Sequence, residues 1–314
     1  MNKVHQEYII SNFQDISLID ESMKKHSTFG VGGKAKVLLL PKKNVDIKNV
    51  LKYSSKNNIN IAFIGSGSNL LISDDGFDGI LISLKRTFKK IEFSENGDIV
   101  AGSGVMLGHM VKEAIKRSFG GLESLVGVPG TLGGALFMNA GAYGTEISKC
   151  FVSAKVMNMD GNEIELSKSD VSFSYRSSTF PKDCILLEAK FKCNKGDINK
   201  IKKNKATFSV SRKTNQPLNY RSAGSVFKNP KDGFAAGYLI DKAGLKGTKK
   251  GGAMISEKHA NFIVNLGDAK SSDIISLIKL IKNKILSDFN VSLNLEIKLV
   301  GFSKQILDEL GCDE

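Results

Sequence analysis

Three polar side chains stand among apolar neighbours and could do chemistry there. Arg176 lies in SYRSS beside Phe173 and Tyr175, Ser225 in AGSVF ahead of Val226 and Phe227, and Glu296 in LNLEIKLV. An arginine offers a planar fork of donors that matches a carboxylate. A serine hydroxyl can hand over a proton, and a carboxylate in an apolar run is costly unless it meets a cation or shares a proton. Each also has a purely structural reading: an ion pair for Arg176, a turn serine bonded to its own backbone for Ser225, and a solvent-facing position in the alternation for Glu296. Whether the three converge is not legible at this level.

Two glycine-rich turns could hold a ligand beside them. Residues 120–144 read GGLESLVGVPGTLGGALFMNAGAYG, with eight glycines interleaved with Val126, Val128, Leu132, Leu136 and Phe137, so the stretch is expected to be buried. It has no acidic residue after Glu123, and its backbone N–H groups are expected to form a nest for an anion, most often a phosphate. GSGSNLLI at 65–72 follows the apolar run INIAFI, which puts the turn at the carboxyl end of a strand, where open α/β structures bind ligands. Neither turn fits a nucleotide fingerprint: Gly65-Ser66-Gly67-Ser68-Asn69 lacks the third glycine and the helix, and no Walker lysine follows either turn. Together they imply a long ligand with a diphosphate, held by amides and by Ser66, Ser68, Asn69 and Thr131.

The elements that must place these residues follow from periodicity. Ile9, Ile10, Phe13, Ile16 and Ile19 predict a helical N-terminal segment over 1–25. A strand at 36–40, a helix capped by Asn44 and running to about Lys56, and a strand at 59–64 precede the first turn. From Ile80 come short strands, with Asn96-Gly97 as a hairpin turn, and a helix over about 107–118. Strands are expected at 151–159, 162–166 and 184–193, then a basic surface helix, a helix near 235–242, a strand at 260–265, an apolar helix over about 273–289 and a last strand containing Glu296. The fold class is therefore α+β, with boundaries at 1–25, 26–210 (two lobes, 26–84 and 85–210), 211–302 and a loosely attached tail over 303–314.

The whole chain sets further limits. At 314 residues and 41% apolar content it can bury a sizeable core. It shows no secretory h-region and no apolar run long enough for a membrane span, so a cytoplasmic location without membrane partners is expected. Cys150, Cys184, Cys193 and Cys312 form no metal-ligand or disulfide spacing, so no metal is expected. The net charge of +13 fits an anionic small molecule; the nine Lys/Arg of 190–213 read as a solvated face, and without interleaved aromatics nucleic acid is not expected.

In order along residues 20–302, GSGSNLLI, GLESLVGVPGTLGGALFMNAGAYG, SYRSS, RSAGSVFKNP, ISEKHANFIVN and LNLEIKLVG resemble the UDP-N-acetylenolpyruvoylglucosamine reductase (UDP-N-acetylmuramate dehydrogenase) family. The resemblance implies a two-part FAD-binding domain of the vanillyl-alcohol-oxidase (PCMH) type, followed by a smaller α+β substrate-binding domain. It implies non-covalent FAD, NADPH as co-substrate, and reduction of the enolpyruvyl ether of UDP-N-acetylglucosamine for peptidoglycan precursors. Gly65, Ser66, Gly67, Ser68, Asn69, Val128, Pro129, Gly130, Thr131, Gly133, Gly134 and Ala135 would bind the cofactor. Ser225 would be the proton donor, Arg176 would polarise the substrate carboxylate and Glu296 would assist stabilisation of an enol-like intermediate; Tyr175, Lys228, Asn229 and His259 would bind substrate.

Two departures stand out. Gly30 occupies a position where the family often has an arginine, and the only tyrosine between Arg176 and Ser225 is Tyr220, too close to the serine to serve as a lid, so the resemblance is to the shorter type without a tyrosine lid. A monomer is expected, with a dimer left open. The rival readings are an FAD-dependent sugar or alcohol oxidase of the same fold and a nucleotide- or RNA-binding protein without catalysis.

Overall fold

The structure is a computed structural model that describes residues 1–312. By backbone contacts the chain forms two compact units. The first comprises Met1–Ile19, Val37–Ser66 and Gly79–Arg212, the second Asp20–Lys36, Gly67–Asp78 and the chain from Lys213 onward. Two early segments, 20–36 and 67–78, thus group with the C-terminal third, and the GSGSN turn divides between Ser66 and Gly67.

In the first unit a five-stranded antiparallel sheet runs in the order Glu163–Ser167, Phe151–Asn158, Cys184–Lys192, Asp98–Gly102, Ile91–Phe93. Its strand Cys184–Lys192 is apolar on both faces because each face meets a core. Cys184 and Leu186 join Phe151, Phe180 and Phe191 in one, and Ile185 and Leu187 join Val37, Leu39, Ile47 and Val50 in another. The second of these cores is closed by the helix Asn44–Lys56, whose Ile47, Val50, Leu51 and Ser54 are buried at helical spacing. Asn44 is the first helical residue and not the cap. The carboxylate of Asp46 instead accepts from the backbone N–H of Lys42 and Lys43. The strand Ile61–Ile64 runs parallel to the second half of Phe77–Ser83, with Ile61 opposite Ile80 and Ile64 opposite Ser83.

The second unit has a three-stranded antiparallel sheet, Lys249–Lys250, Ala253–Ile255 and Ile263–Asn265, against the helix Ser271–Phe289. Ile274, Ile278, Ile281 and Ile285 of that helix are at most 1% exposed. Each such side chain contributes roughly 2 kcal/mol of burial. A short parallel pair, Leu70–Ile72 with Lys298–Val300, completes the unit.

Three expectations are corrected. The N-terminal helix ends at Phe13, and Ser17–Ser22 is a strand. The last strand covers only Lys298–Val300, so Glu296 lies in the bend before it. Finally, the tail is docked within the second unit. Lys304–Leu310 is a helix, Leu310 is 1% exposed, and Lys282 Nζ donates to the carbonyl of Leu310 at 3.1 Å. Ile306 and Leu310, one turn apart, supply the apolar stripe that docks it.

Candidate active site

In the first unit the two glycine segments meet. The strand Ile61–Ile64 delivers Gly65 against Thr131, and a Cβ on Gly65 would lie 2.4 Å from Thr131 Oγ1. The next residue, Ser66, has a buried hydroxyl with no hydrogen-bond partner; so do Ser103 and Ser124, the first of which packs against Gly133. A buried hydroxyl left unpaired costs about 1–3 kcal/mol, so these three serines could each give a hydrogen bond to an acceptor that the protein does not itself supply.

The amide nest expected of 127–134 is only partly present. The N–H groups of Val128, Leu132, Gly133 and Ala135 donate to the carbonyls of Leu125, Val105, Ser103 and Thr131 at 2.8–3.1 Å. Gly133 and Gly134 lie inside a short helix, Leu132–Phe137, whose first amides are spent on protein carbonyls, those of Leu132 and Gly133 on Val105 and Ser103 outside it.

The glycine-rich stretch also carries the arginine hairpin. Phe173–Ser174 pairs with Ser177–Ser178 across a two-residue turn made by Tyr175 and Arg176, and Arg176 sits at φ +56°. A left-handed arginine costs of order 1 kcal/mol, and such strain clusters at functional sites. The hairpin is fixed by Ser178 Oγ, which donates to the carbonyl of Phe137, and by the fully buried Asn139, whose Nδ2 donates to the carbonyl of Ser174 and to Glu146 at 2.9 Å. Arg176 is half-buried with its guanidinium 5.2 Å from the ring of Tyr175, and Tyr175 itself is exposed.

In the second unit Ser225 and Glu296 are brought together through the backbone. The N–H of Glu296 donates to the carbonyl of Val226 at 2.8 Å, and Phe227 bridges Leu295. The buried Asn261 locks the serine segment by accepting from the N–H of Phe227 and donating to its carbonyl, while Ser225 bridges Phe262. Both Ser225 and Glu296 are half-buried. The same bend holds the second half of the GSGSN turn, because Asn69 Nδ2 donates to the carbonyl of Glu296 at 3.0 Å and the N–H of Lys298 donates to the carbonyl of Asn69 at 2.9 Å. Gly67, at φ +71°, lies so close to the preceding loop that a Cβ would stand 2.0 Å from the carbonyl oxygen of His26.

The remaining candidates cluster around the helix Ala236–Lys242 of this unit. Asn229 Oδ1 accepts from the N–H of Ala236, so the side chain organises the start of that helix. His259 packs its ring against Gly237 and edge-on to Phe262. Its Nδ1 accepts from the N–H of Asn261, which leaves the proton on Nε2, and burial pushes its pKa below the ordinary value, so the ring is neutral near pH 7. Lys228 is half-buried, with its N–H on the carbonyl of Asn294.

Sequence reasoning missed Arg212. In the first unit its Nη1 donates to the carbonyl of Gly127 at 2.9 Å, its Nε is buried without a partner, and burial lowers its pKa. One turn earlier Phe208 stacks on Tyr143 at 4.8 Å. The signal was available: Phe208 and Arg212 are the only aromatic and the only arginine in an otherwise lysine-rich helix, Ile198–Asn215. Among the described residues no helix is long and apolar enough to cross a membrane.

Comparison with known proteins gives this geometry a context. The family description "FAD binding domain" matches residues 35–167, and "UDP-N-acetylenolpyruvoylglucosamine reductase, C-terminal domain" matches 216–300. The UDP-N-acetylenolpyruvoylglucosamine reductase of Clostridioides difficile strain 630 is 43% identical over 284 residues, covering 90% of this chain and 93% of that protein. The one of Alkaliphilus oremlandii is 39% identical over 289 residues, covering 92% and 94%. The crystal structure of the Thermus caldophilus enzyme superimposes with a TM-score of 0.76 at 32% identity, covering 90% of this chain and 98% of that one.

Proposed function

Because the chain belongs to the UDP-N-acetylenolpyruvoylglucosamine reductase family, we propose that it binds FAD without a covalent link and, with NADPH as reductant, reduces the enolpyruvyl ether of UDP-N-acetylglucosamine to UDP-N-acetylmuramate. It is an oxidoreductase of peptidoglycan precursor synthesis with an α+β fold, a PCMH-type FAD-binding domain followed by the family's C-terminal domain. The residues fit the cofactor. Ser66, Ser103 and Ser124 have hydroxyls that lack protein partners, and Gly134, beside Thr131, leaves open the space a Cβ would take. Bound FAD would supply the hydride that reaches the substrate's double bond.

The protein's own residues handle charge and proton. Hydride addition to the enolpyruvyl carbon leaves negative charge on the carbon skeleton conjugated with the carboxylate. The guanidinium of Arg176, presented by a strained hairpin turn, would take that carboxylate through paired donors. Ser225 would deliver the proton to the adjacent carbon, and Glu296, held beside the serine segment by the Val226 carbonyl, would assist the enol-like state. Tyr175, Lys228, Asn229 and His259 would bind the nucleotide sugar, with His259 neutral as a donor through Nε2. Gly65, Ser66, Gly67, Ser68, Asn69 and the 128–135 segment would hold the cofactor.

The observation that carries the reading is the chain of hydrogen bonds from Val226 to Glu296 to Asn69, which gathers the serine segment, the carboxylate and the second half of the proposed diphosphate turn in one unit. Its test is Ser225→Ala studied in half-reactions. Flavin reduction by NADPH should be unchanged, while oxidation by the enolpyruvyl substrate should slow about 10²–10⁴-fold. Normal turnover would remove Ser225 from the proton-donor role.

A further inference from the structure

Gly30 has no side chain because another residue fills its space. A Cβ there would stand 2.4–2.6 Å from the Cζ, Nε and Nη1 of Arg221, and the backbone sits at φ +71°. That guanidinium, 191 positions later in the chain, collects three carbonyls of one turn. Its Nη2 donates to Lys24 at 3.0 Å and Ser27 at 2.9 Å, and its Nε donates to Thr28 at 3.4 Å. Asn265 Nδ2 donates to the next carbonyl, Phe29, at 2.8 Å. Convergent carbonyls need donors, and a fork-shaped cation supplies several at once.

The turn so held is the wall behind the proposed diphosphate loop. The N–H of Thr28 donates to the carbonyl of Gly67 at 3.0 Å, and the carbonyl of His26 is the atom that forbids a Cβ on Gly67. Arg221 also begins the segment that ends at Ser225; its carbonyl accepts from the N–H of Asn265, while Ser225 bridges Phe262. A closed circuit results within the second unit: Arg221 to Thr28, Thr28 to Gly67, Asn69 to Glu296, Glu296 to Val226, and back along the chain to Arg221.

We propose that Arg221 is a positioning residue that braces the 24–28 turn behind Gly67 and so fixes the GSGSN turn for the cofactor diphosphate in register with Ser225. The proposal rests on the FAD reading above for its ligand, and on protein contacts alone for the brace.

The experiment uses the full chain stripped of flavin, with Arg221→Ala, Arg221→Gln, Arg221→Lys, Gly30→Ala and the pair Gly30→Ala with Arg221→Ala. FAD affinity is read from flavin fluorescence and local order from hydrogen exchange at the N–H of Thr28. Arg221→Ala and Arg221→Gln should each weaken FAD about tenfold and speed exchange at Thr28, and Arg221→Lys should not restore either, since an ammonium presents its donors from a single nitrogen and cannot reproduce the spread of Nε and Nη2. Gly30→Ala should act through the same guanidinium, so the double variant should be no weaker than the worse single one. Amides in the helix Ser271–Phe289 should keep their protection; a general loss there with no selective change at Thr28 would reduce Arg221 to a stability residue and overturn the proposal. Wild-type FAD affinity with unchanged exchange at Thr28 would overturn it too. A wild-type protein that takes up no FAD would defeat the cofactor reading instead, and exchange at Thr28 would still decide the brace.

Discussion

The two glycine-rich segments look alike as text and are built differently. In the first, protein atoms impose the glycine: at Gly67 a Cβ would meet a backbone carbonyl at 2.0 Å with φ +71°. In the second, Gly134 sits in a helix with ordinary dihedrals, and its Cβ would come only within 3.8 Å of Thr131 Oγ1. The first segment is thus glycine for the sake of the fold around it. The second is crowded by Ser103 at Gly133 and by Glu146 at Gly141, and it leaves space that the protein does not fill at Gly134, where something else can approach.

Substitution should separate the two, beginning with the largest effect. Gly67→Ala must displace backbone and adopt a left-handed alanine, and should cost about 3 kcal/mol or more, seen as a large drop in thermal midpoint together with loss of bound flavin. Gly134→Ala should leave the flavin-free protein as stable as wild type, or more stable by up to about 1 kcal/mol through helix propensity. If it nonetheless releases flavin, the cofactor lies against that face; if it retains flavin fully, Gly134 leaves the binding set.

The second segment also holds the arginine hairpin, so Arg176→Lys extends the comparison. Keeping the charge while losing the fork should lower turnover by roughly 10–100-fold, an effect of about 1.4–2.7 kcal/mol, with flavin content unchanged. Equal loss of flavin would tie the hairpin to the fold of the glycine segment and not to substrate.

A modest effect belongs to the anchor of the first segment. Downstream of Gly67, Asp74 accepts from the N–H groups of Ser271 and Ser272 at the start of the long helix. Burial works to raise its pKa, but those bonds outweigh it and hold the carboxyl below the ordinary range. The stabilisation is therefore present above the ordinary carboxylate value near 3.9 and is lost as pH falls through the lowered folded value. Asp74→Asn should cost about 1 kcal/mol at pH 7 in chemical denaturation, and the difference from wild type should shrink in acid.

Some elements, and the candidates for chemistry, were legible in the residues. Ser225 and Arg176 stand out because turn chemistry and an aromatic setting surround a polar group, and the helix Asn44–Lys56 follows from its apolar spacing. What escaped depended on contacts across long stretches of chain. The arginine near Gly30 is supplied by Arg221, and nothing local to either residue announces it. Glu296 alternates with leucine and isoleucine as a strand would, yet the carbonyl of Val226 and the side chain of Asn69 hold it in a bend. The amides of Leu132 and Gly133 seemed destined for a ligand because the carbonyls of Val105 and Ser103 that claim them are about thirty residues away. The tail's few apolar residues do not read as an element without the core that Ile306 and Leu310 enter.

The central claim is that one chain carries FAD, accepts reducing equivalents from NADPH and passes them to the enolpyruvyl nucleotide sugar. Visible absorption of the purified protein, recorded without oxygen while NADPH and then that substrate are added, tests it directly. Flavin bands should be present, bleach with NADPH and return on addition of the substrate. A protein that takes up no flavin from added FAD would contradict the cofactor site, and a flavin that bleaches yet recovers only with oxygen would contradict the reductase and move the chemistry to an oxidase.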